Sequence, residues 1–286
     1  MGRIVTVGSI NADYLYLVPH LPGPGETLAS TGMRRSLGGK GANQSIAAAR
    51  SGAEVAHVGC IGPGDDWLTD TMAAAGVDVA PVAVAGVPTG HAIIAVDPAG
   101  ENSIILASSA NLALDPARIA AVLEGYGPGD ICLLQNEINA SAEAAALARA
   151  RGMTVIYSAA PFDRAAVEAV LPQADLLVMN AVEAAQLGRP PGALGVDVLV
   201  TKGAEGATYH GDDVTECPAF AVTPVDTTGA GDCYIGSFAA KRALGADVAQ
   251  AMRWAAAASA IQVTRIGTAD AMPTADEIAA FLAERG

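Results

Sequence analysis

Short apolar runs alternate with longer Ala-rich segments of helical periodicity over most of this chain. The apolar runs predict strands buried on both faces, because they lack the polar alternation of a half-exposed strand. Strands that alternate with helices are typical of a mostly parallel sheet covered on both faces. The predicted strands are Ile4–Gly8, Glu54–Cys60, Asp130–Gln135, Thr154–Ser158, Leu176–Met179 and Val196–Thr201. The predicted helices are Gly41–Arg50, Trp67–Ala75, Pro116–Leu123, Ser141–Arg151, Ala165–Val170 and Ala181–Leu187.

Two stretches interrupt this alternation. Residues 12–37 are rich in Pro, Gly and Thr and lack helical periodicity. Thr89–Val96 and Ser103–Ala107 predict a β-hairpin around a polar turn. Together the two stretches predict a small extra sheet that would serve as a lid. We therefore expect one domain over residues 1–286, with a discontinuous β-lid at about 12–37 and 89–107.

Composition and charge narrow the class of protein. The 286 residues are 51% hydrophobic and only 16% charged, which is typical of a compact soluble protein and not of a disordered one. A net charge of −14 without a basic patch argues against a nucleic-acid partner. The most apolar helical stretch, Ala255–Val263, is shorter than the ~20 residues that span a bilayer, so no membrane partner is expected. Four widely spaced cysteines and no recognised targeting segment indicate a cytoplasmic location.

The sequence Asp-Thr-Thr-Gly-Ala-Gly-Asp at 226–232 leads directly into an apolar helical stretch. Its small residues leave the N–H groups of Gly229, Ala230 and Gly231 at a helix N-terminus, where the positive partial charge favours an anion. A carboxylate beside a phosphate is unfavourable unless it has a chemical task. Asp232 has such a task if it takes a proton from a hydroxyl that attacks the phosphoryl group. The alternative is a helix start with no catalytic role.

Two further turns carry polar side chains at the ends of predicted strands. Asn11 and Asp13 follow the first strand, and their amide and carboxylate suit the hydroxyls of a vicinal diol. The Gly-Gly-Lys-Gly-Ala-Asn sequence at 38–43 opens the next helix but lacks the Ser or Thr of a Walker loop. The alternatives are an Asx-turn and a plain Gly-rich loop.

Two turns later in the chain are less specific. Asn180 and Glu183 match the capping-box pattern at the start of a helix, and Glu183 could also face metal-bound water. The turn at 201–206 could line a nucleotide or form a tight connection between strands. His57 lies in an apolar strand and is interpreted as a core residue.

Taken in order, these motifs resemble the PfkB carbohydrate-kinase family, and its ribokinase branch in particular. The resemblance extends over nearly the whole chain. It rests on Gly-Ser-Ile-Asn-Ala-Asp at 8–13, Pro-Gly-Glu-Thr at 24–27, Gly-Gly-Lys-Gly-Ala-Asn at 38–43, Thr-Gly at 89–90, Gly-Glu-Asn at 100–102, Glu137, Asn180 with Glu183, and Asp-Thr-Thr-Gly-Ala-Gly-Asp at 226–232.

The resemblance implies a fold and a set of roles. The fold is a three-layer α/β/α sandwich with a mostly parallel central sheet and a small β-sheet lid, which pairs two copies into a homodimer. Asp232 would be the catalytic base, and the amides of Gly229, Ala230 and Gly231 would form the anion hole. The residues implied to surround the sugar are Asn11, Asp13, Gly39, Lys40, Asn43 and Glu137, with Ala92, Ile94 and Ile104 of the lid above it.

The resemblance also implies ATP as co-substrate, with Mg²⁺ and an activating K⁺. Thr201, Gly203 and Gly206 would line the nucleotide with Asn180 and Gly231. Asn180 and Glu183 would hold Mg²⁺ through water. The implied monovalent-cation site consists of Asp226 and Thr228, with backbone carbonyls near Gln262, Arg265 and Gly267. Ala271 stands where a hydroxyl is often found in that site.

The expected reaction is ATP-dependent phosphorylation of D-ribose at O5. One alternative is a nucleoside or pseudouridine kinase of the same family, although only 4% of the residues are aromatic and little surface is available to stack a base. An alternative of another class is an inactive sugar-binding or regulatory protein. The presence of both Asp232 and the glycine turn favours an enzyme.

Overall fold

The computed structural model describes residues 1–285 and has a large sheet as its central layer. Within those residues the sheet contains nine strands in the order β15-β14-β13-β12-β11-β10-β1-β4-β6. They are β1 (Ile4–Val7), β4 (Val55–Val58), β6 (Val77–Asp78), β10 (Ile131–Leu134), β11 (Thr154–Ser158), β12 (Leu176–Asn180), β13 (Asp197–Thr201), β14 (Ala207–His210) and β15 (Val214–Cys217). The seven strands β13, β12, β11, β10, β1, β4 and β6 pair in parallel, whereas β14 pairs antiparallel with both β13 and β15. This confirms the predicted α/β class with a mostly parallel sheet.

Helices cover both faces of the large sheet. They are α1 (Lys40–Arg50), α2 (Asp66–Ala74), α3 (Pro116–Leu123), α4 (Ser141–Ala150), α5 (Arg164–Val170), α6 (Ala181–Leu187), α7 (Ala230–Ala243), α8 (Val248–Gln262) and α9 (Ala275–Glu284). Successive strand residues point to opposite faces, so Ile4 lies in the core beneath α1 and α7 while Val5 lies in the core beneath α4. The continuous apolar strands of the sequence are thus explained by two separate cores, one on each face.

Local sequence sets where several helices begin. Asp115, Asn180, Asp247 and Thr274 are N-cap residues whose side chains accept a backbone N–H of the first turn. Each bond satisfies a donor that the helix itself leaves unpaired. The capping box predicted for Asn180 and Glu183 is present.

A second, four-stranded sheet lies apart from the large one in the order β3-β2-β8-β9. Its strands are β2 (Asn11–Leu17), β3 (Gly32–Gly38), β8 (Gly90–Val96) and β9 (Asn102–Ala107). It draws on both stretches that interrupt the helix-strand alternation of the sequence, and we call it the lid sheet. A pair of two-residue strands, β5 (Cys60–Ile61) and β7 (Ala83–Val84), forms a third small sheet. Across residues 1–285, no helix combines the length and apolarity that crossing a membrane requires.

Candidate active site

The start of α7 positions the carboxylate of Asp232. Gly229, at the N-cap, has φ of 79°, a left-handed conformation that glycine adopts without the steric cost of a Cβ atom. This conformation turns the chain into the helix at once, so that Asp232 falls in the first turn. The side chain is almost buried, at 7% exposure, and it lines a cavity at the helix N-terminus.

The amides at this helix start differ from the expected set by one residue. The N–H of Ala230 donates to the carbonyl of Thr227 at 3.2 Å and is therefore committed to the turn. The amides of Gly229, Gly231 and Asp232 have no hydrogen-bond partner among residues 1–285. An α-helix leaves its first amides unpaired in this way. Of the three amides expected to form an anion hole, that of Ala230 is therefore taken, whereas those of Gly229 and Gly231, and that of Asp232, are available; the binding of an anion there stays a prediction.

Helix α1 holds the Asp232 carboxylate with two side-chain amides. Asn43 Nδ2 donates to Asp232 Oδ2 at 3.2 Å, and Gln44 Nε2 donates to Oδ1 at 2.9 Å. Gln44 is itself fixed by Gln135, whose Nε2 donates to its Oε1 at 2.8 Å. Sequence analysis gave no role to Gln44 or Gln135, because residues this far apart in the chain show no common pattern.

The close approach of α1 to α7 depends on Gly236. A Cβ atom at that position would lie 2.3 Å from the carbonyl oxygen of Gln44, which is closer than real contacts allow. Gly236 lies four residues after Asp232, on the same face of α7. The glycine therefore brings the amides of α1 within reach of the base.

Lys40 adds a positive charge between the carboxylates of the site. It lines the same cavity as Asp232. The Asp232 carboxylate raises the pKa of Lys40, with smaller contributions from Glu137 and Glu183, against burial that lowers it. The lysine is thus held protonated beside the helix N-terminus, where it can neutralise phosphate charge.

The cavity at the helix N-terminus has a volume of about 210 Å³. It extends from the turn before α7 to the carboxyl ends of β11, β12 and β13. In parallel α/β sheets, ligands bind beyond these ends. Its lining includes Lys40, Asn180, Glu183, Thr201, Gly231 and Asp232, all of them predicted site residues.

A second cavity, of about 140 Å³, opens toward the lid sheet. Asn11 and Glu137 line it, together with Asn111 and Leu106. Glu137 Oε2 accepts hydrogen bonds from Ser9 Oγ and from the Lys40 amide at 3.0 Å. Because Lys40 lines the first cavity, this bond joins the two cavities at the start of α1.

The side-chain oxygen of Asn11 is hydrogen-bonded, whereas its side-chain nitrogen is not bonded to any described residue. Its Oδ1 accepts from Asn111 Nδ2 at 2.7 Å, and Asn111 Oδ1 accepts from the Ile10 amide at 2.9 Å. Asn11 Nδ2 has no partner in the described part of the chain. The fixed orientation leaves this N–H₂ group available as a donor to a ligand.

Asp13 is the second polar side chain at the start of β2. Its Oδ1 is buried and makes no hydrogen bond to another described residue. Burial, followed by the negative charge of Glu137, raises its pKa to about 6. A buried acceptor without a partner costs folding free energy, so this carboxylate is suited to hydroxyl donors from a substrate.

The lid sheet contributes Leu106 to the lining of the second cavity, a residue that the sequence did not predict. Strand register places Ala92 beside Asp13 on one side and beside Leu106 on the other. Leu106 lines the cavity, whereas Ile104 pairs with Ile94, is 56% exposed and is not part of the lining. Ala92 and Ile94 are likewise absent from the cavity lining, so the predicted contacts of Ala92, Ile94 and Ile104 with the sugar stay predictions. Ile104 and Leu106 share one face of β9 and lie one pair apart along the strand.

Glu183 has both a structural and an available oxygen. Its Oε2 accepts the Asn180 amide at 2.8 Å, while Oε1 makes no hydrogen bond within residues 1–285. No group of three or more His, Cys, Asp or Glu side chains in the described residues could hold a metal alone. Magnesium is usually held by one or two carboxylates, waters and substrate phosphates. Glu183, which lines the cavity with Asn180, fits such a partly water-coordinated ion.

The turn after β13 is only partly in the cavity. Thr201 lines it. Gly203 borders open space, and Gly206 closes the turn by accepting the Lys202 amide at 2.7 Å. Of these three predicted residues, Thr201 is therefore the one that the cavity includes.

The expected monovalent-cation site does not fit a cation. Asp226 Oδ1 accepts the Thr228 amide at 2.9 Å, and Oδ2 accepts the Gly267 amide at 3.0 Å. The carbonyls of Thr228 and Gly267 both accept from Gln262 Nε2, at 2.8 and 3.1 Å. The Arg265 guanidinium pairs with Glu277. The Asp226 carboxylate and the carbonyls of Thr228 and Gly267 thus face N–H donors, which does not suit a cation, and the activating K⁺ stays a prediction.

Comparisons with known proteins identify the family and the fold. The model of the pfkB family carbohydrate kinases matches residues 1–275. A ribokinase of Haemophilus influenzae is 34% identical over 99% of each chain. A deoxyribokinase of Salmonella typhi is 30% identical over 98% of each chain. The structure of an Arabidopsis thaliana ribokinase complexed with ribose and ATP superposes with a TM-score of 0.89 at 28% identity, covering 99% of each chain.

Proposed function

Since this chain belongs to the pfkB family of carbohydrate kinases, we propose that it transfers the γ-phosphate of ATP to the 5-hydroxyl of D-ribose. The observation that carries the proposal is the start of α7, where Asp232 lies beside three unpartnered amides. A base next to an anion hole suits the transfer of a phosphoryl group to a hydroxyl. Full-length similarity to ribokinases supports ribose as the acceptor.

In this proposal Asp232 accepts the proton of the attacking hydroxyl. Its two oxygens are oriented by Asn43 and Gln44. The amides of Gly229, Gly231 and Asp232 meet the charge that develops on the transferred group, and Lys40 adds a fixed positive charge. Donors positioned before the reaction need no reorganisation during it, and this is their main contribution to rate.

The sugar would occupy the cavity beneath the lid sheet. Asn11 Nδ2 donates to a hydroxyl oxygen, and the carboxylates of Asp13 and Glu137 accept hydroxyl protons. Ala92, Ile94 and Leu106 of the lid cover the apolar face of the ring. Gly39 and Asn43, at the start of α1, complete the wall toward the base.

ATP would extend from Gly231 along the carboxyl ends of β12 and β13. Asn180, Thr201, Gly203 and Gly206 are the proposed contacts of the nucleotide. Mg²⁺, when bound with ATP, would screen the phosphate oxygens, and Glu183 and Asn180 would hold its waters. We leave an activating potassium ion out of the proposal because Gln262 already bonds the carbonyls of Thr228 and Gly267.

The alternatives differ in the acceptor and in whether the protein is an enzyme. A nucleoside or pseudouridine kinase would need a surface for the base, whereas the second cavity measures only about 140 Å³ and has no aromatic lining. Similarity to a deoxyribokinase keeps 2-deoxyribose as a competing acceptor. An inactive sugar-binding protein would not need a base that two amides hold in place.

We further propose a cytoplasmic homodimer that assembles through the lid sheet. Three consecutive apolar residues of the edge strand β9, Ile104, Ile105 and Leu106, are 56%, 66% and 53% exposed. An apolar edge strand of this kind promotes pairing with another chain. Cys60, Cys132, Cys217 and Cys233 are free thiols, which suits a reducing compartment.

The proposed function is tested by measuring ADP release with pentoses, hexoses and nucleosides, with ³¹P NMR to locate the phosphate. We expect D-ribose to give the highest kcat/KM and a phosphate on C5. Asp232→Asn keeps the shape of the side chain but removes the base and replaces one of its two accepting oxygens with an N–H₂ group. We therefore expect kcat to fall by on the order of 10²-fold or more while calorimetry still detects sugar binding. Turnover of the variant within a few-fold of wild type would reject the role of Asp232, and a higher kcat/KM for a nucleoside would reject ribose.

A further inference from the structure

Gln262 is a buried amide that joins the loop before the anion hole to the loop after α8. It is the last residue of α8 and is fully buried. Its Nε2 donates to the Thr228 carbonyl at 2.8 Å and to the Gly267 carbonyl at 3.1 Å. Thr228 directly precedes Gly229, so this amide fixes the residue from which the anion-hole turn begins.

The side chains of Asp226 and Ser259 also bond the turn before α7 to α8 or to the loop that follows it. Asp226 accepts one amide from each loop, those of Thr228 and Gly267. Ser259, one turn earlier on α8, donates its Oγ to the Ala230 carbonyl at 3.0 Å. These side chains therefore bond the turn at 226–230 to α8 and its following loop, in addition to the backbone bond from the Asp226 amide to the Val263 carbonyl at 3.1 Å.

The orientation of the Gln262 amide follows from its neighbours. Two carbonyl oxygens within 3.1 Å require a donor group, because an amide oxygen in that position would be repelled by both. The Oε1 atom points away and makes no hydrogen bond among the described residues. A bound cation would require the reverse orientation or a displaced side chain.

We propose that the side-chain amide of Gln262 takes the position of a monovalent cation and holds the anion-hole turn, so that this kinase works without potassium. One N–H₂ group supplies two fixed donors to two carbonyls, which is the crosslink that a bound cation would otherwise form. Gln262 is thus a positioning residue that acts through Thr228 and Gly229. The inference rests on the proposed kinase function for its activity readout, but its binding readout is independent of that function.

The test compares wild type, Gln262→Ala and Gln262→Met in potassium-free and sodium-free buffer, titrated with KCl or with choline chloride at equal ionic strength. Ala leaves two buried carbonyls without a donor and opens space for an ion. Met removes the donors but fills the space. We expect equal kcat for the wild type in both salts and a fall of about tenfold for both variants in choline, since a lost buried hydrogen bond has this order of effect. KCl should restore Gln262→Ala and not Gln262→Met.

Thermal unfolding supplies the second readout, because a cation that binds only the folded protein raises Tm. We expect KCl to raise Tm above the choline control for Gln262→Ala alone. Wild-type activation or a potassium-specific rise of its Tm would overturn the inference, as would a Gln262→Ala variant with unchanged kcat or without potassium rescue. Absence of turnover in the wild type with every sugar would instead reject the proposed function, and the Tm comparison would still test cation binding.

Discussion

At the scale of single residues, the site places one half-buried lysine, Lys40, near carboxylates that differ in their hydrogen bonds. Asp232 has both oxygens bonded by amides of α1. Glu137 is bonded by Ser9 and the start of α1. Asp13, in contrast, has a buried oxygen without a partner and a pKa raised to about 6 by burial and by Glu137. This difference supports the proposed roles of Asp232 as the base and of Asp13 as a ligand of the sugar.

The raised pKa of Asp13 predicts a pH dependence of sugar binding. Below about pH 6 the carboxyl becomes protonated and loses acceptor capacity, so the sugar KM should rise as pH falls. Glu137→Gln removes the nearby negative charge, which lowers the Asp13 pKa and should move the inflection to lower pH. The measurement is the ribose KM over about pH 5 to 8 at saturating ATP, with the KM of ATP as control. A pH-independent ribose KM, or the same inflection in Glu137→Gln, would contradict this assignment.

Gln44 is predicted to act on the chemical step through Asp232. Gln44→Leu removes one donor to the carboxylate and breaks the link to Gln135. Since hydrogen bonds to charged groups are worth roughly 1.5–3 kcal/mol, kcat should fall about tenfold or more with little change in either KM. Ser45→Ala on the same helix removes a bond to His57 instead and is the matched control. Equal kcat values for the two variants would show that Gln44 does not position the base.

At the scale of elements, sequence patterns predicted the helices and strands that have strong periodicity and missed several that do not. The apolar strands of the central sheet were predicted within a few residues, because strands buried on both faces have continuous apolar runs. The two-residue strands β6 and β7 are too short to show a pattern. Helix α8 was predicted from Ala255 but begins at Val248, where a capping box of Asp247 and Gln250 starts it. Helix α9 was not predicted, although Thr274 and Glu277 form the same signal.

The edge strand β9 predicts how two copies associate. Ile105→Lys places a charge in the exposed apolar run of the lid sheet and should shift the protein from dimer to monomer at micromolar concentration. Val214→Lys is the matched control, since Val214 is 64% exposed on β15 at the edge of the large sheet. Light scattering after size-exclusion chromatography measures the mass of each. A monomeric wild type, or equal masses for the two variants, would reject assembly through the lid.

At the scale of the whole molecule, the order of motifs predicted the family and the layered fold, while contacts distant in the chain were not predictable. The bond of Gln44 to Asp232 joins residues 188 positions apart. The sequence led us to expect a backbone carbonyl near Gln262 as a cation ligand. It did not show that the side chain of Gln262 donates to the Thr228 carbonyl, because a sequence position does not give the direction of its side chain. Side-chain orientation is decided by packing between elements, which one sequence does not display. The fold therefore followed from local patterns, whereas the fine structure of the site required coordinates.

The buried side chain of His57, on β4 of the central sheet, makes the folding stability of the whole molecule depend on pH. His57 is fully buried, as the sequence predicted, and shares hydrogen bonds with Ser45 Oγ at 2.9 Å and with the Gly8 carbonyl at 3.2 Å. Burial lowers its pKa from 6.5 to about 4, although the Gly8 carbonyl opposes the shift. Between these values the unfolded chain binds a proton that the folded chain does not, so stability decreases as pH falls through this window. The full effect is on the order of 3 kcal/mol.

We therefore expect His57→Gln to flatten the pH dependence of the unfolding free energy between about pH 6.5 and 4. Asp13 acts in the opposite direction over part of this window, because its raised pKa makes the folded chain bind the extra proton. The informative quantity is thus the difference between variant and wild type, which cancels the contribution of Asp13. His20→Gln, at an exposed position paired with Glu26, is the control. Urea unfolding across this pH range measures both variants. Equal slopes for His57→Gln and His20→Gln would show that the proton uptake on acid unfolding comes from groups other than the buried histidine.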